Sequence, residues 1–255
     1  MISGFLIFRL FILIISSLVL SGSSVDVHLS EDKLESNKAK KMMIKGSSLS
    51  NVKALVVNKV KDCGKNLIDD ICYFANKAPG LSPKVLSHAL HAYKVAKERN
   101  EVSTEKLTII DYSKPSTEDR LWVLDLEEKK INLATKVAHG SGSGGHVIAK
   151  KFSNRNNSHA SSIGVAKTKD IYYGKHGKSL RLEGLEEGYN DHLLDRAVVI
   201  HGANYVNKNG RVGRSWGCPA VSNEVVGSLV DEIKNGSLVF LYYPDKKWIE
   251  NSEYL

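Results

Sequence analysis

Residues 197–221 read AVVIHGANYVNKNGRVGRSWGCPAV. The apolar run Ala197–Ile200 has the composition of a buried β-strand; it delivers His201 at its end, with Gly202 directly after. Seventeen positions beyond His201 stands Cys218, inside Ser215-Trp216-Gly217-Cys218-Pro219. Gly210, Gly213 and Gly217 punctuate the loop between them and let backbone approach a ligand closely. A thiol attacks only as thiolate, which is scarce at neutral pH when the pKa is the usual ~8.5. A neighbouring imidazole takes the proton, stabilises the thiolate as imidazolium, and returns the proton to a leaving amine. Glycine just before the nucleophile frees backbone N–H groups to face a developing oxyanion. Cys218 is therefore the candidate nucleophile and His201 its base, with Ser215, Trp216 and Gly217 as the active-site loop.

Outward from this segment, period-two runs recur at Leu107–Asp111, Leu121–Leu126, Ile131–Ala138, Ser162–Lys167 and Ser237–Tyr243, separated by polar turns. Glu127–Lys130, between the second and third, predicts a hairpin. Helical spacing appears earlier, at Leu67, Ile68, Ile71, Phe74, Ala75 and Ala78. A second helix is capped by Ser82, has Pro83 in its first turn, carries the stripe Val85, Leu86, Ala89, Leu90, Tyr93 and Ala96, and ends near Asn100. A late helix runs from Ser222 through Val225, Val226, Leu229, Val230 and Ile233 to Gly236 as terminator. The fold class is mainly β with α (α+β): a helical segment over 62–104 precedes a β-rich domain over 105–245.

The N-terminus carries Arg9, then the apolar run Leu10–Leu20, then Ser21-Gly22-Ser23-Ser24. That order is a secretory signal, assigned to residues 1–23, and the polar stretch 24–61 is a tether. The chain is expected to be exported, to the periplasm or cell envelope. Export makes its three cysteines, Cys63, Cys72 and Cys218, an odd number in an oxidising compartment, which leaves one thiol to explain. If one helix held both Cys63 and Cys72, they would lie about 13 Å apart, beyond the ~7 Å limit for a disulfide; a bridge requires Cys63 in a loop that folds back.

The formal charge is +8, but its basic residues are scattered, with no long Lys/Arg run and no aromatic-basic motif, so nucleic acid is not the expected partner. A basic surface equally favours an anionic cell-envelope polymer. The run His139-Gly-Ser-Gly-Ser-Gly-Gly lacks the pattern of a phosphate-cradling loop, and the β-rich domain holds neither His-x-x-x-His nor Cys-x-x-Cys; neither a cofactor nor a metal is expected.

The His-Gly and Ser-x-Gly-Cys pair resembles the signature of murein L,D-transpeptidases, and most closely the murein L,D-transpeptidase catalytic-domain family. The likeness extends through Leu107–Asp111 with Pro115-Ser116-Thr117, Val137-Ala138-His139-Gly140, and Phe152-Ser153-Asn154 with Ser158, Ser161, Ser162 and Gly164. It continues in Gly174-Lys175-His176-Gly177 with Ser179-Leu180, and in Gly213-Arg214-Ser215-Trp216-Gly217-Cys218-Pro219-Ala220. The resemblance implies a β-sandwich or mixed-sheet catalytic domain preceded by short N-terminal helices and acting on peptidoglycan stem peptides. Cys218 would attack a carbonyl next to a diaminopimelate-type residue, expel a D-amino acid and pass the thioester to an amine; sensitivity to carbapenems is implied as well. Two departures stand out: Trp216 replaces the commoner His, and Ala220 the commoner Arg expected to help hold the donor, a role Arg211 or Arg214 can take. Gly202, Tyr205, Arg211, Arg214, His139, His176 and Ser179 are the candidate substrate contacts. Two alternatives stay open: a hydrolase of the same fold (an L,D-carboxypeptidase or amidase) and a non-catalytic wall-binding module.

Overall fold

A computed structural model describes residues 67–207, 210 and 212–255; the predicted signal (1–23), the tether (24–61), Cys63 and Arg211 lie outside the described residues. Two helices come first, α1 (Leu67–Lys77) and α2 (Pro83–Glu98). The strands are β1 (Lys106–Asp111), β2 (Leu121–Asp125), β3 (Lys130–Thr135), β4 (Gly164–Gly174), β5 (Gly177–Gly184), β6 (Val199–Gly202) and β7 (Ala220–Val221). Helix α3 (Asn223–Ile233), strand β8 (Leu238–Tyr242) and helix α4 (Lys246–Asn251) follow. The strands form one eight-stranded sheet in the order β3-β2-β1-β8-β4-β5-β6-β7. It is mixed: β1 runs parallel to β8 and β6 to β7, while the remaining neighbours are antiparallel.

The apolar runs follow from burial on both faces of this sheet. Alternate residues of a strand point to opposite sides, and every residue of β2 (LWVLD) is buried. Trp122 and Leu124 join Leu107, Ile109, Leu238 and Phe240 in the cluster that takes in the predicted α2 stripe, with Phe74 of α1. Leu121 and Val123 join Ile110, Val239, Leu241, Leu182 and Ile200 against Val226, Leu229, Val230 and Ile233 of α3. The helices of 67–98 thus share the sheet's core.

Three local expectations change. The predicted run Ser162–Lys167 overlaps only the first four residues of a longer strand: β4 starts at Gly164, extends to Gly174 and pairs with β5, which the sequence pattern did not show. The outer stretch carries Lys169, Asp170, Tyr172 and Tyr173, all more or less solvated, so it has strand pairing without an apolar alternation to announce it. Ser82 and Ser222 occupy the predicted cap positions, yet neither side chain makes a capping hydrogen bond. The C-terminal end of α3 is closed instead by Thr168, whose Oγ1 donates to the Ile233 carbonyl (2.7 Å) and accepts from Ser237 N–H (2.9 Å). Finally, α4 was not visible in the periodicity. It is short, and its place depends on a distant contact: Trp248 Nε1 donates to the buried Glu186 carboxylate at 3.0 Å.

Candidate active site

His201 lies on β6 and Cys218 just before β7, and the ladder between these strands relates the two. The two strands run parallel with His201 opposite Ala220, and His201 N–H donates to the Pro219 carbonyl (3.3 Å). Carrying that register back two residues sets Val199 beside Cys218, and Val199 N–H points at Sγ at 3.5 Å. Sγ also lies 4.0 Å from the carbonyl of Ala197, a residue held at φ +51° in the turn before β6. Val199 and His201 are two apart on one strand, so their side chains share one face of the sheet.

The orientation of the imidazole is set by its own neighbour. His201 Nδ1 lies 2.8 Å from the Gly202 carbonyl oxygen; a carbonyl only accepts, so Nδ1 carries the proton and Nε2 is the basic nitrogen. Burial pushes the His201 pKa below its ordinary 6.5, the Gly202 hydrogen bond opposes this, and His176 and Lys175 add to the lowering. Burial pushes the Cys218 thiol up, against the Val199 N–H and the positive charges of Arg196 and Lys175. Both shifts favour the uncharged forms, thiol and neutral imidazole. Tyr205, half-buried with its ring against Gly213, completes this wall; burial and then Cys218 raise its phenol to about 12.

The nucleophile loop is knitted to the segment 138–162. Ala138 N–H donates to Ala220 (2.7 Å), Ser215 N–H to His139 (3.0 Å) and Ser141 N–H to Ser215 (2.8 Å). Ser161 clasps the two sides: its Oγ accepts from Gly140 N–H (3.0 Å) and donates to the Gly217 carbonyl (3.1 Å). Behind Gly217 lies Arg196, which donates to the Ser153 and Ala160 carbonyls and to the hydroxyls of Ser162 and Ser158. Gly217 has φ +120°, and a Cβ there would sit 2.9 Å from the Ala160 oxygen and 3.2 Å from an Arg196 nitrogen. Gly217→Ala is thus expected to cost about 1–3 kcal/mol in urea unfolding and to slow covalent modification of Cys218 by displacing the loop; an unchanged midpoint and rate would show the backbone has slack here.

The tip of the β4–β5 hairpin, Lys175-His176 between the paired Gly174 and Gly177, completes the surroundings. The exposed His176 ring stacks on His201 with centroids 4.1 Å apart. Lys175 Nζ stands 5.7 Å from the centre of the Trp216 ring, which is 73% exposed and stacked on His159 at 4.8 Å.

Residues 77–242, more than half of the chain, match the L,D-transpeptidase catalytic domain family. The chain belongs to that family. Among solved structures it is similar to an L,D-transpeptidase from Mycobacterium smegmatis, with 13% identity, a TM-score of 0.35, and coverage of 55% of this chain and 60% of that one. It is also similar to an L,D-transpeptidase from Stackebrandtia nassauensis, with 14% identity, a TM-score of 0.35, and coverage of 74% and 88%. An L,D-transpeptidase from Xylanimonas cellulosilytica (residues 123–326) gives 18% identity, a TM-score of 0.32, and coverage of 58% and 68%. No curated protein matches.

Within this L,D-transpeptidase-family domain, His176 stacks on His201, Tyr205 feels the charge of Cys218, and Trp216 and Gly217 directly precede Cys218 as Gly202 follows His201; four other expected groups have partners within the protein. His139 does not line the cleft: it is fully buried, its Nδ1 faces Arg120 (3.0 Å) and its Nε2 the Gly145 carbonyl (2.9 Å). An arginine only donates, so Nδ1 accepts and the ring is neutral; burial takes its pKa to about 4. Ser179 is buried as well, its hydroxyl donating to Gly177 (3.2 Å) within the hairpin. Arg214 gives one nitrogen of its guanidinium to the Gly144 carbonyl (2.7 Å). The Gly217 N–H, expected to face an oxyanion, donates to Ser215 Oγ (3.0 Å), which in turn donates to the Cys218 carbonyl (2.6 Å). The sequence reading named Ser161 for the family resemblance alone, without a role, and missed Arg196 and Arg120, the latter a fully buried cation whose guanidinium bonds the Val137 and Lys114 carbonyls.

Proposed function

We propose that the protein is a peptidoglycan L,D-transpeptidase in which Cys218 is the nucleophile and His201 the base. The observation carrying this reading is the pinned imidazole. With Nδ1 committed to the Gly202 carbonyl, Nε2 is the nitrogen presented from β6, on the strand whose Val199 N–H touches the thiol. As the thiol approaches a stem-peptide carbonyl, Nε2 removes its proton and the C–S bond forms. The tetrahedral oxyanion is received by the N–H of Cys218, since that of Gly217 serves Ser215. Collapse breaks the C–N bond, and the proton on Nε2 passes to the departing D-amino acid's nitrogen. An acceptor amine then attacks the thioester, gives a proton to Nε2 and forms the new amide; the C–S bond breaks and the thiolate is reprotonated from His201. Membership of the family supports the reaction class.

The same reading takes the protein to be exported to the periplasm or envelope, where its +8 charge favours anionic wall polymers, and to be acylated by carbapenems. Incubating the full chain with muropeptides and analysing the products by mass spectrometry tests it. Cross-linked dimers or exchanged terminal D-amino acids are expected; stems that are only trimmed would assign a hydrolase, and unaltered stems a binding module.

A further inference from the structure

The β4–β5 hairpin is rich in cations, and all but one stand beside a carboxylate. Lys167 and Lys169 pair with Glu183, Lys178 with Asp231, and Arg181 with Asp170. Lys175, at the tip, has no carboxylate partner among the described residues; its ammonium stands over the Trp216 ring instead. Among the described residues, the other two cations near the site are already partly engaged. Arg196 is bound to two carbonyls and two serine hydroxyls, and Arg214 gives one nitrogen to the carbonyl of Gly144. Lys175 is the one whose ammonium, with three donors, has no hydrogen-bond acceptor among the described residues.

Its position is held by its neighbours. Gly174 and Gly177 close the hairpin by pairing, Gly177 turning at φ +71°, and His176 stacks on His201. The residue before His176 is thus placed beside the base, and the charge of Lys175 bears on both His201 and Cys218. Next to it Trp216 and His159 lie face to face with planes within 3° of each other, an exposed aromatic surface in a molecule that buries most of its large apolar side chains. A cation beside a flat aromatic face suits a ligand with an aliphatic body and a carboxylate.

We infer that Lys175 is the donor subsite's carboxylate anchor: it binds a free carboxylate of the stem peptide while the adjoining aliphatic portion lies on Trp216. The inference rests on the proposed transpeptidase reaction. It makes Lys175 a specificity-determining residue, acting on which peptide is acylated onto Cys218. An alternative role for a cation there is to favour the thiolate directly, and the experiment separates the two.

Acylation of Cys218 in the full chain is followed with three synthetic tetrapeptide donors: one with free carboxylates, one amidated at its C-terminus, and one amidated on the side-chain carboxyl of its third residue. In the wild type, amidating one of these two carboxylates should lower kcat/KM roughly 10- to 100-fold, the worth of a charge-assisted hydrogen bond. Lys175→Ala should lose the same factor on the free donor, mainly through KM, and should no longer distinguish that donor from the amidated one. Lys175→Arg should restore the preference, and Lys175→Glu should invert it. Unchanged selectivity in Lys175→Ala overturns the anchor. So does a shift in the pH profile of Cys218 alkylation by iodoacetamide without a change in selectivity, which would assign Lys175 to tuning the thiol. If none of the donors acylates wild-type Cys218, the transpeptidase reading fails and the anchor fails with it.

Discussion

Cys218→Ala is expected to lose all covalent modification by a carbapenem, while the wild-type chain gains one adduct mass per molecule under the same conditions. Acyl transfer through a thioester has no route without sulfur, so the loss should be complete where most substitutions would only slow the reaction. The fold should tolerate the change. Sγ makes two long contacts, 3.5 Å to Val199 N–H and 4.0 Å to the Ala197 carbonyl, so the cost in a urea titration should be about 1 kcal/mol or less. The loop's shape comes from elsewhere: Ser215 Oγ bridging Gly217 N–H and the Cys218 carbonyl, and Ser161 clasping Gly217 to Gly140. Intact-protein mass spectrometry of both forms reads the adduct directly. An adduct that persists in Cys218→Ala moves the nucleophile to another residue, and a wild-type chain that stays unmodified removes the support a reactive thiol would give to the proposed reaction.

The sequence announced this thiol because two kinds of signal coincide over 197–221. The apolar run Ala197–Ile200 is a strand only from Val199, Ala197 being exposed in the turn before it, and that buried strand is written in hydrophobic residues because both its faces are covered. Glycine at 217 is required by φ +120° and by the carbonyl of Ala160 against its α-carbon, so a backbone need is visible as a residue type. Arg196 gave no such signal, and Ser161 stood out only among the residues of the family resemblance, without a role. Each acts across the fold, Arg196 on Ser153 and Ala160 and Ser161 on Gly217, and an arginine in Asp195-Arg196-Ala197 is indistinguishable by type from one on a solvated turn. His139 misled for the opposite reason. A histidine followed by glycines reads as a cleft residue, yet here it fills the interior and links the buried Arg120 to the glycine-rich loop through Gly145. The β4–β5 extension was hidden because its outer half is held by pairing and by ion pairs among polar side chains, leaving no apolar alternation to detect.

His201→Ala is expected to lower the acylation rate of Cys218 about 10²- to 10⁴-fold at neutral pH, the usual span for a general base, without removing the adduct formed at long times. Burial raises the thiol's pKa and lowers that of the imidazole, so both shifts oppose an ion pair at rest, and the proposed mechanism moves the proton to Nε2 during attack. The pH dependence follows with a definite sign. The base works only when neutral, and its pKa lies below 6.5, so wild-type acylation should persist as the pH falls through 6.5 and drop only at the lower, depressed value. In His201→Ala that acid limb should vanish, and the rate should climb steadily with pH as hydroxide makes the thiolate that the imidazole no longer provides. The gap between the two proteins should therefore narrow toward high pH, and added imidazole should recover part of the rate by entering the space left beside the His176 ring. Alkylation by iodoacetamide, read at Cys218 by peptide mass, gives an independent check. The wild type should show no reactive plateau at acid pH, because a raised thiol and a lowered imidazole keep the proton on sulfur. A plateau extending well below pH 6.5 would mean a preformed thiolate–imidazolium pair, and with it a mechanism in which His201 holds charge before the substrate arrives.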